Sequence, residues 1–354
     1  MSYYQTIRAL IQTVPTTIID WTIERKRGKP PTQAFSEFLT NREQGDWAEN
    51  LIHKAINAKS ERYVAVQYGK SENIIAGEPG FEEFYEQYQD ELETIGKRPD
   101  LLLFSKEVYQ KDWGYNISNF TKEQLDVIVP LATAGIEVRS SAFLVEEYTH
   151  FMRHRKVEMT NKVLHLKATL LENYHDILSQ KAGWIESLNA ITNETIGVLE
   201  IKDAPGWRAS VELKAASDLI KEMNGALKEF KKRDFLSITP KVEDLKVVFK
   251  WIETYNVPHF YFQVFFDKVY GISFEKILEL ISNPDLEEDK YFIGDEDSKN
   301  QNKWTVKIDM PEHQSIMRKL GKGRLLFHVK FLGGTAYLDV NNLRKILGIN
   351  QNDF

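Results

Sequence analysis

The chain has 354 residues, of which 42% are hydrophobic, and its formal net charge is −6 at pH 7. This length and composition allow a large hydrophobic core in one domain or two. The acidic balance argues against a protein that coats nucleic acid without selectivity, and the absence of cysteine excludes disulfides and cysteine-based zinc sites. No stretch is apolar enough for a membrane span and no signal-peptide pattern opens the chain, so we expect a cytoplasmic protein without membrane contact.

Helices and strands are predicted in alternation over residues 46–141. Apolar residues recur at helical spacing from Trp47 to Ile56, with Asp46 at the position of an N-cap. Glu49 follows three residues later, which is typical of a capping box. The other elements predicted in this part are a strand over 62–68, a helix over 81–94, a strand after Asp100, a helix over 121–132 and a strand after Gly135.

The second half is predicted to hold long helices, one buried strand and a strand-rich tail. Residues 259–272 are aromatic and β-branched throughout, as expected of a single strand buried on both faces. The acidic, polar stretch 283–303 is typical of a linker or mobile loop, and Gly333-Gly334 is predicted to join the last two strands as a hairpin. The predicted elements are helices over 143–182, 210–230, 240–255 and 342–347, and strands over 197–202, 235–238, 304–308, 325–331 and 335–340. This alternation favours an α/β or α+β fold.

Two short apolar stretches each carry one carboxylate. Asp100 opens the run Leu101-Leu102-Leu103-Phe104, and the alternation of 135–141 places Glu137 and Arg139 on one face of a strand. If the two stretches pair as neighbouring strands, Asp100, Glu137 and Arg139 converge on one point. Two carboxylates beside a cation can hold Mg²⁺ against a phosphodiester.

Three longer blocks carry a resemblance to a known family. The stretches GKRPDLLLF, GIEVRSSAFL and LSITPKVEDLKVVFKWIETYNVPHFYFQVFFDKVYGI, in this order, resemble type II restriction endonucleases of the PD-(D/E)xK superfamily. The AccI-type group is the most similar and the BanI type the second choice. The resemblance implies a nuclease core over 1–142 and 234–282, with a mixed central sheet flanked by helices. It also implies a mostly helical insertion over 143–233 for DNA recognition, and a C-terminal extension over 283–354 with a β-hairpin for DNA recognition or dimer contact.

The resemblance also implies roles for single residues. Asp100 and Glu137 match the metal-binding acids, and Glu49 matches an acid often found on the first core helix, although it can equally be only a helix cap. The family expects lysine where this chain has Arg139, and an arginine does not readily give up a proton. Lys241, in the first turn of the helix after the 235–238 strand, is the predicted substitute, or else simply a solvated lysine. Lys202, in a second Glu-x-Lys triplet, lacks an upstream Pro-Asp and ranks below it.

Candidate DNA contacts come from a predicted exposed turn, and the expected reaction and partners come from the resemblance. Trp207 and Arg208 follow the turn Pro205-Gly206 and, with Lys202, are candidates for DNA binding, although the tryptophan can equally anchor its loop to the core. The expected function is Mg²⁺-dependent double-strand cleavage of DNA at a short palindromic or degenerate-palindromic site, leaving 5′-phosphate ends. A homodimer and a cognate DNA methyltransferase as functional partner are expected. The alternatives are a structure-specific repair or junction nuclease, and a non-catalytic DNA-binding protein with a decayed site.

Overall fold

The computed structural model describes residues 2–70, 74–199, 202–232, 236, 238, 240, 242–282, 304–308, 311–320 and 323–349. The helices in chain order are α1 (Tyr3–Ile11), α2 (Ser36–Lys59), α3 (Phe81–Thr94), α4 (Lys122–Ile128), α5 (Val145–Asn173), α6 (His175–Ser179), α7 (Trp184–Asn189), α8 (Val211–Lys231), α9 (Val242–Tyr255), α10 (Phe274–Ile281) and α11 (Val340–Leu347). The strands are β1 (Tyr63–Gln67), β2 (Leu101–Ser105), β3 (Ala134–Ser140), β4 (His259–Val264), β5 (Lys268–Ser273), β6 (Trp304–Ile308), β7 (Glu312–Lys319), β8 (Leu325–Leu332) and β9 (Ala336–Leu338).

The chain forms two compact units. The first comprises Met1–Leu144 and Ser237–Phe354 and contains all the described strands, and the second comprises Val145–Leu236 and is helical. Helices and a mixed sheet within the first unit agree with the predicted α+β class. Among the described residues, no helix is both long and apolar enough to cross a membrane.

The first unit is built on a seven-stranded sheet in the order β1-β2-β3-β4-β5-β6-β9. The β3–β4 pair is parallel and the other neighbouring pairs are antiparallel. Apolar residues of α2 and α11 pack on one face, and those of α1, α4, α9 and α10 pack on the other. In the parallel pair, Glu137 lies opposite Tyr261 and Arg139 opposite Gln263. Because side chains alternate along a strand, these four residues share the α9 face of the sheet.

The segment between α3 and β2 lies directly against α9. The backbone N–H of Lys97 donates to the carbonyl of Val247 at 2.9 Å. Gly96 has a φ of +87°, and a Cβ at this position would lie 2.3 Å from the Val247 oxygen and 2.4 Å from the Trp251 nitrogen. Only glycine combines this left-handed conformation with so close an approach of two backbones. The contact fixes the segment that carries Lys97 and Asp100.

Replacing Gly96 by alanine is expected to destabilise the first unit by about 3 kcal/mol, from the left-handed strain and the forced displacement of α9 together. The matched control is Gly45→Ala within α2, where a Cβ meets nothing within 4 Å. That variant should gain up to about 1 kcal/mol because alanine is the better helix former. Urea unfolding of both variants measures the two effects, and equal stability would contradict the packing of α9 on Gly96.

The second unit packs its helices around its own apolar core. Val163, Leu166 and Leu170 of α5 and Ile220 and Met223 of α8 are buried together. The side chain of Ser210 caps α8 by accepting from the N–H of Leu213 at 3.1 Å. Residue spacing of three and four along both helices therefore gives each one an apolar stripe, and the two stripes bury one another.

Helix α2 begins ten residues before the predicted start, so the prediction of Asp46 as an N-cap and of a capping box with Glu49 is wrong. The cap residue is Phe35, which makes no side-chain cap hydrogen bond. Polar helix formers fill the first turns, and Leu39 and Gln44 are buried among them. Strands β7 and β8 form a separate two-stranded sheet, and the N–H of Val329 in β8 donates to Thr40 of α2 at 3.2 Å. The helix start is therefore set by long-range packing that the local pattern does not show.

Three further predictions are also corrected. Residues 259–272 form the antiparallel pair β4 and β5 rather than one strand, and the N–H of Phe265 donates to the carbonyl of Lys268 at 2.7 Å across the turn. Gly333-Gly334 does not join a hairpin, since β8 pairs with β7 while β9 pairs with β6. Residues 193–198 form turns rather than the start of a strand. Residues 235 and 237 of the predicted strand 235–238, and the whole predicted linker 283–303, lie outside the described residues.

Candidate active site

The two predicted carboxylates meet at the start of β2. Leu101 of β2 lies opposite Ile136 of β3, which places Asp100 beside Glu137. The Oδ2 atom of Asp100 accepts a hydrogen bond from the backbone N–H of Val138 at 2.6 Å. Gly69, two residues after β1, allows this arrangement, because a Cβ there would lie 3.0 Å from the Asp100 Cα and 3.2 Å from its Oδ1. The sheet register and this hydrogen bond therefore hold both acids in place.

Two cations and a further acid surround Glu137. Its side chain is 3% exposed, and its Oε1 lies 2.5 Å from Lys97 Nζ and 3.1 Å from Arg139 Nη2. Asp244 of α9 forms an ion pair with Arg139 and lies 3.6 Å from Lys97 Nζ. Glu49 of α2 lies within electrostatic range of Asp100 and Glu137. We call Lys97, Asp100, Glu137, Arg139 and Asp244 the acidic pocket, which Glu49 borders.

The acidic pocket has more negative charge than its cations compensate. Burial, followed by repulsion from Glu137, raises the pKa of Asp100 to about 8. Burial, followed by repulsion from Asp100, raises the pKa of Glu49 to about 10. Burial opposes the charge of Lys97, but the attraction of Glu137 and Asp244 outweighs it and raises the pKa of the ammonium group. Lys97 is thus held as a cation, while two of the acids take up protons unless another cation arrives.

The donor set suits a hard divalent cation. The described residues contain no group of three or more histidine, aspartate or glutamate side chains arranged to hold a metal ion. Asp100 and Glu137 are a pair, however, and Mg²⁺ commonly takes one or two carboxylates and completes its shell with water and phosphate oxygens. The Oε2 atom of Glu137 is buried and has no hydrogen-bond partner among the described residues. An unpaired carboxylate oxygen beside a protonated acid is chemically suited to such an ion.

The comparison with known families bears on the chain as a whole. The family model of the AccI restriction endonuclease matches residues 1–354. The chain belongs to the AccI restriction endonuclease family. It is therefore a type II site-specific deoxyribonuclease that acts on DNA, as the resemblance predicted. No curated protein and no solved structure matches it.

The structure of this AccI-family enzyme brings together three of the predicted site residues and adds two that were missed. Asp100, Glu137 and Arg139 share the acidic pocket, where Lys97 and Asp244 join them. Lys97 stands three residues before Asp100 in the block GKRPDLLLF, but the family pattern directs attention to a lysine two residues after the second acid. Asp244 lies 107 residues after Glu137 and only the packing of α9 brings it close, so no sequence signal points to it.

The remaining predicted residues are placed as follows. Lys241 lies outside the described residues, and Glu49 borders the acidic pocket from α2. In the second unit, Trp207 packs edge-on to Trp184 with ring centroids 5.6 Å apart, as a loop anchor would. Lys202 donates to the Gly183 carbonyl at 3.3 Å, and Arg208 is exposed. Of these three candidates for DNA binding, Lys202 and Arg208 are exposed and Trp207 is partly buried.

Proposed function

We propose that this AccI-family enzyme is a Mg²⁺-dependent nuclease that cuts both strands of DNA at a short palindromic or degenerate-palindromic site and leaves 5′-phosphate ends. The observation that carries the proposal is the convergence of Asp100, Glu137 and Lys97 in one buried, under-compensated pocket. A PD-(D/E)xK core is part of the proposal. It is supported by the mixed sheet, in which β2 and β3 carry the acids and α2 carries Glu49.

Asp100 and Glu137 would hold the Mg²⁺ ion, with Glu49 at its border. When bound, the metal supplies positive charge that polarises a phosphodiester oxygen and favours hydroxide formation from water. Asp100 is oriented by the N–H of Val138, so its carboxylate needs no reorganisation on loading. Arg139 stays charged at all relevant pH values and neutralises phosphate. Its ion pair with Asp244 restricts where its guanidinium can reach.

Lys97, rather than Lys241, fills the role of the family's lysine in this proposal. Its ammonium group touches Glu137 and is held as a cation. It can therefore stabilise the negative charge that develops on the phosphate during attack. The alternative of a non-catalytic protein with a decayed site rests on Arg139 standing where lysine is expected. A lysine supplied from the segment before Asp100 removes that objection.

Divalent metal is expected to stabilise the fold, and more strongly at high pH. The pKa of Asp100 is raised from its ordinary value of 3.8 to about 8. Protonation of Asp100 therefore stabilises the metal-free protein fully below pH 3.8, and this stabilisation is lost as the pH rises through about 8. A cation replaces the lost protons, so Ca²⁺ should raise Tm more at pH 8 than at pH 5. Differential scanning calorimetry measures the shift, and Asp100→Asn is the control that should abolish it. Equal shifts at both pH values would contradict a metal site at Asp100.

The active form is expected to be a homodimer. The described part of one chain contains one acidic pocket, whereas a double-strand cut needs two. A twofold protein axis on a palindromic site supplies the second. The second unit, with Arg208, and the C-terminal extension are the proposed sources of DNA contacts, and a cognate methyltransferase would protect the host's own sites. Sedimentation of the protein with a cognate duplex in Ca²⁺ should give two chains per duplex. One chain per duplex would contradict the dimer and favour a nicking or repair activity.

A further inference from the structure

A set of buried polar groups lies next to the acidic pocket, on the same α9 face of the sheet. Tyr261 of β4 lies opposite Glu137 of β3, and His259 lies opposite Gly135. Tyr261 and His259 are each 0% exposed. The hydroxyl of Tyr261, both ring nitrogens of His259 and the Oε2 atom of Glu137 have no hydrogen-bond partner among the described residues. Buried polar groups are nearly always paired, so a run of them along one strand pair calls for a physical reason.

These groups lie within the electrostatic field of the acidic pocket. Burial and then the negative charge of Glu137 raise the pKa of Tyr261. Burial and then the positive charges of Lys97 and Arg139 lower the pKa of His259 to about 3. The two rings lie close together, with centroids 5.1 Å apart. His259 is thus neutral under all working conditions, and Tyr261 keeps its proton and remains a hydrogen-bond donor.

The two oxygens of Glu137 are in different situations. Oε1 faces Lys97 and Arg139, and Oε2 is the buried atom without a partner among the described residues. An ionised carboxylate can only accept hydrogen bonds, and a tyrosine hydroxyl is a donor of suitable reach on the neighbouring strand. When Lys97 turns towards a scissile phosphate, Glu137 loses its shortest contact and keeps only Arg139 on Oε1. A donor to Oε2 would then hold the orientation of the carboxylate.

We propose that Tyr261 is a positioning residue for Glu137, and that its hydroxyl donates to Oε2 when Lys97 leaves Glu137 for the substrate. The inference rests on the proposed function of Glu137 as a metal-binding acid. In this proposal Tyr261 does not contact the substrate, because it acts by holding the carboxylate of Glu137 in the direction that metal binding requires. Groups that orient a ligand in this way typically change metal affinity as well as rate.

The test compares Tyr261→Phe with Tyr255→Phe in the full-length protein. Tyr255 is another buried tyrosine of the first unit, but its hydroxyl donates to Asp126 at 3.1 Å, and no residue of the acidic pocket contributes to its raised pKa.

Tyr261→Phe should keep or raise Tm, because it removes a hydroxyl that has no partner among the described residues. It should weaken Ca²⁺ binding, measured by calorimetry, by about tenfold and raise the Mg²⁺ concentration for half-maximal single-turnover cleavage by a similar factor. Tyr255→Phe should lower Tm and leave both metal readouts unchanged.

Wild-type Ca²⁺ affinity and Mg²⁺ dependence in Tyr261→Phe would overturn the inference. A clear fall in the Tm of that variant would also overturn it, since the hydroxyl would then be paired for structural reasons. Failure of the proposed function looks different, because the wild-type protein itself would then neither bind Ca²⁺ nor cleave DNA in Mg²⁺.

Discussion

Asp100→Asn and Glu137→Gln should each lower the single-turnover rate of DNA cleavage by about 10³-fold, as expected when one preorganised charge is lost from a catalytic site. Both replacements are isosteric, and the amide oxygen introduced by Asp100→Asn can still accept from the N–H of Val138. The fold should therefore be retained. Asp100→Asn should be at least as stable as the wild type, because this buried acid is already protonated up to about pH 8. Glu137→Gln should lose some stability, because Lys97 and Arg139 then lose their ion-pair partner. Specific DNA binding in Ca²⁺ should persist or tighten, because fewer carboxylates face the phosphates.

The matched control for these variants is Asp112→Asn, in the short helical turn Lys111–Trp113. It should cleave at the wild-type rate. Asp100→Asn or Glu137→Gln at the wild-type rate, with the fold shown intact by circular dichroism, would remove the acidic pocket as the active site.

Lys97→Ala should lower the single-turnover rate by about 10²- to 10³-fold, because it removes the cation nearest Glu137 from the developing phosphate charge. Lys97→Arg should rescue little, since a guanidinium needs a wider, planar site than an ammonium group. Arg139→Ala should cost less, about tenfold, because Asp244 already holds that guanidinium by an ion pair.

Three lysine variants separate this assignment from its rivals. Lys241→Ala and Lys202→Ala should keep most of the activity, and Lys122→Ala on the exposed face of α4 is the matched control, with its partner Asp126 at 2.6 Å. If Lys241→Ala loses most of its cleavage activity while Lys97→Ala remains active, Lys241 and not Lys97 fills the role of the family's lysine. A loss in Lys202→Ala alone would move the active site to the second unit.

The sequence predicted the central strands and the two acids because those features depend on neighbouring parts of the chain. Alternation in 135–141 and the apolar run after Asp100 both show in single stretches, and the two strands are neighbours in the sheet. Lys97 was within reach of the same reasoning but not singled out, since the family's motif places its lysine elsewhere. Asp244 was out of reach, because its position depends on how α9 packs against Gly96.

The tail and the aromatic run show where local patterns fail. Residues 259–272 are so uniformly apolar that the turn between β4 and β5 leaves no break in hydrophobicity. Strand β7 was missed because its side chains are mostly polar and exposed, although all eight of its residues pair with β8. The partner of β9 is β6, with the whole two-stranded sheet between them in sequence. Strand pairing over such separations is decided by packing rather than by turn residues.

The most direct test of a Mg²⁺-dependent, sequence-specific site at Asp100, Glu137 and Lys97 is run-off sequencing of plasmid DNA digested by the wild-type protein and by Asp100→Asn. We expect discrete fragments from the wild type in Mg²⁺. All their ends should fall in one short palindromic or degenerate-palindromic sequence and carry 5′-phosphates, and neither EDTA-treated enzyme nor the variant should cut. Ends scattered without a common sequence, or the same fragments produced by Asp100→Asn, would contradict it.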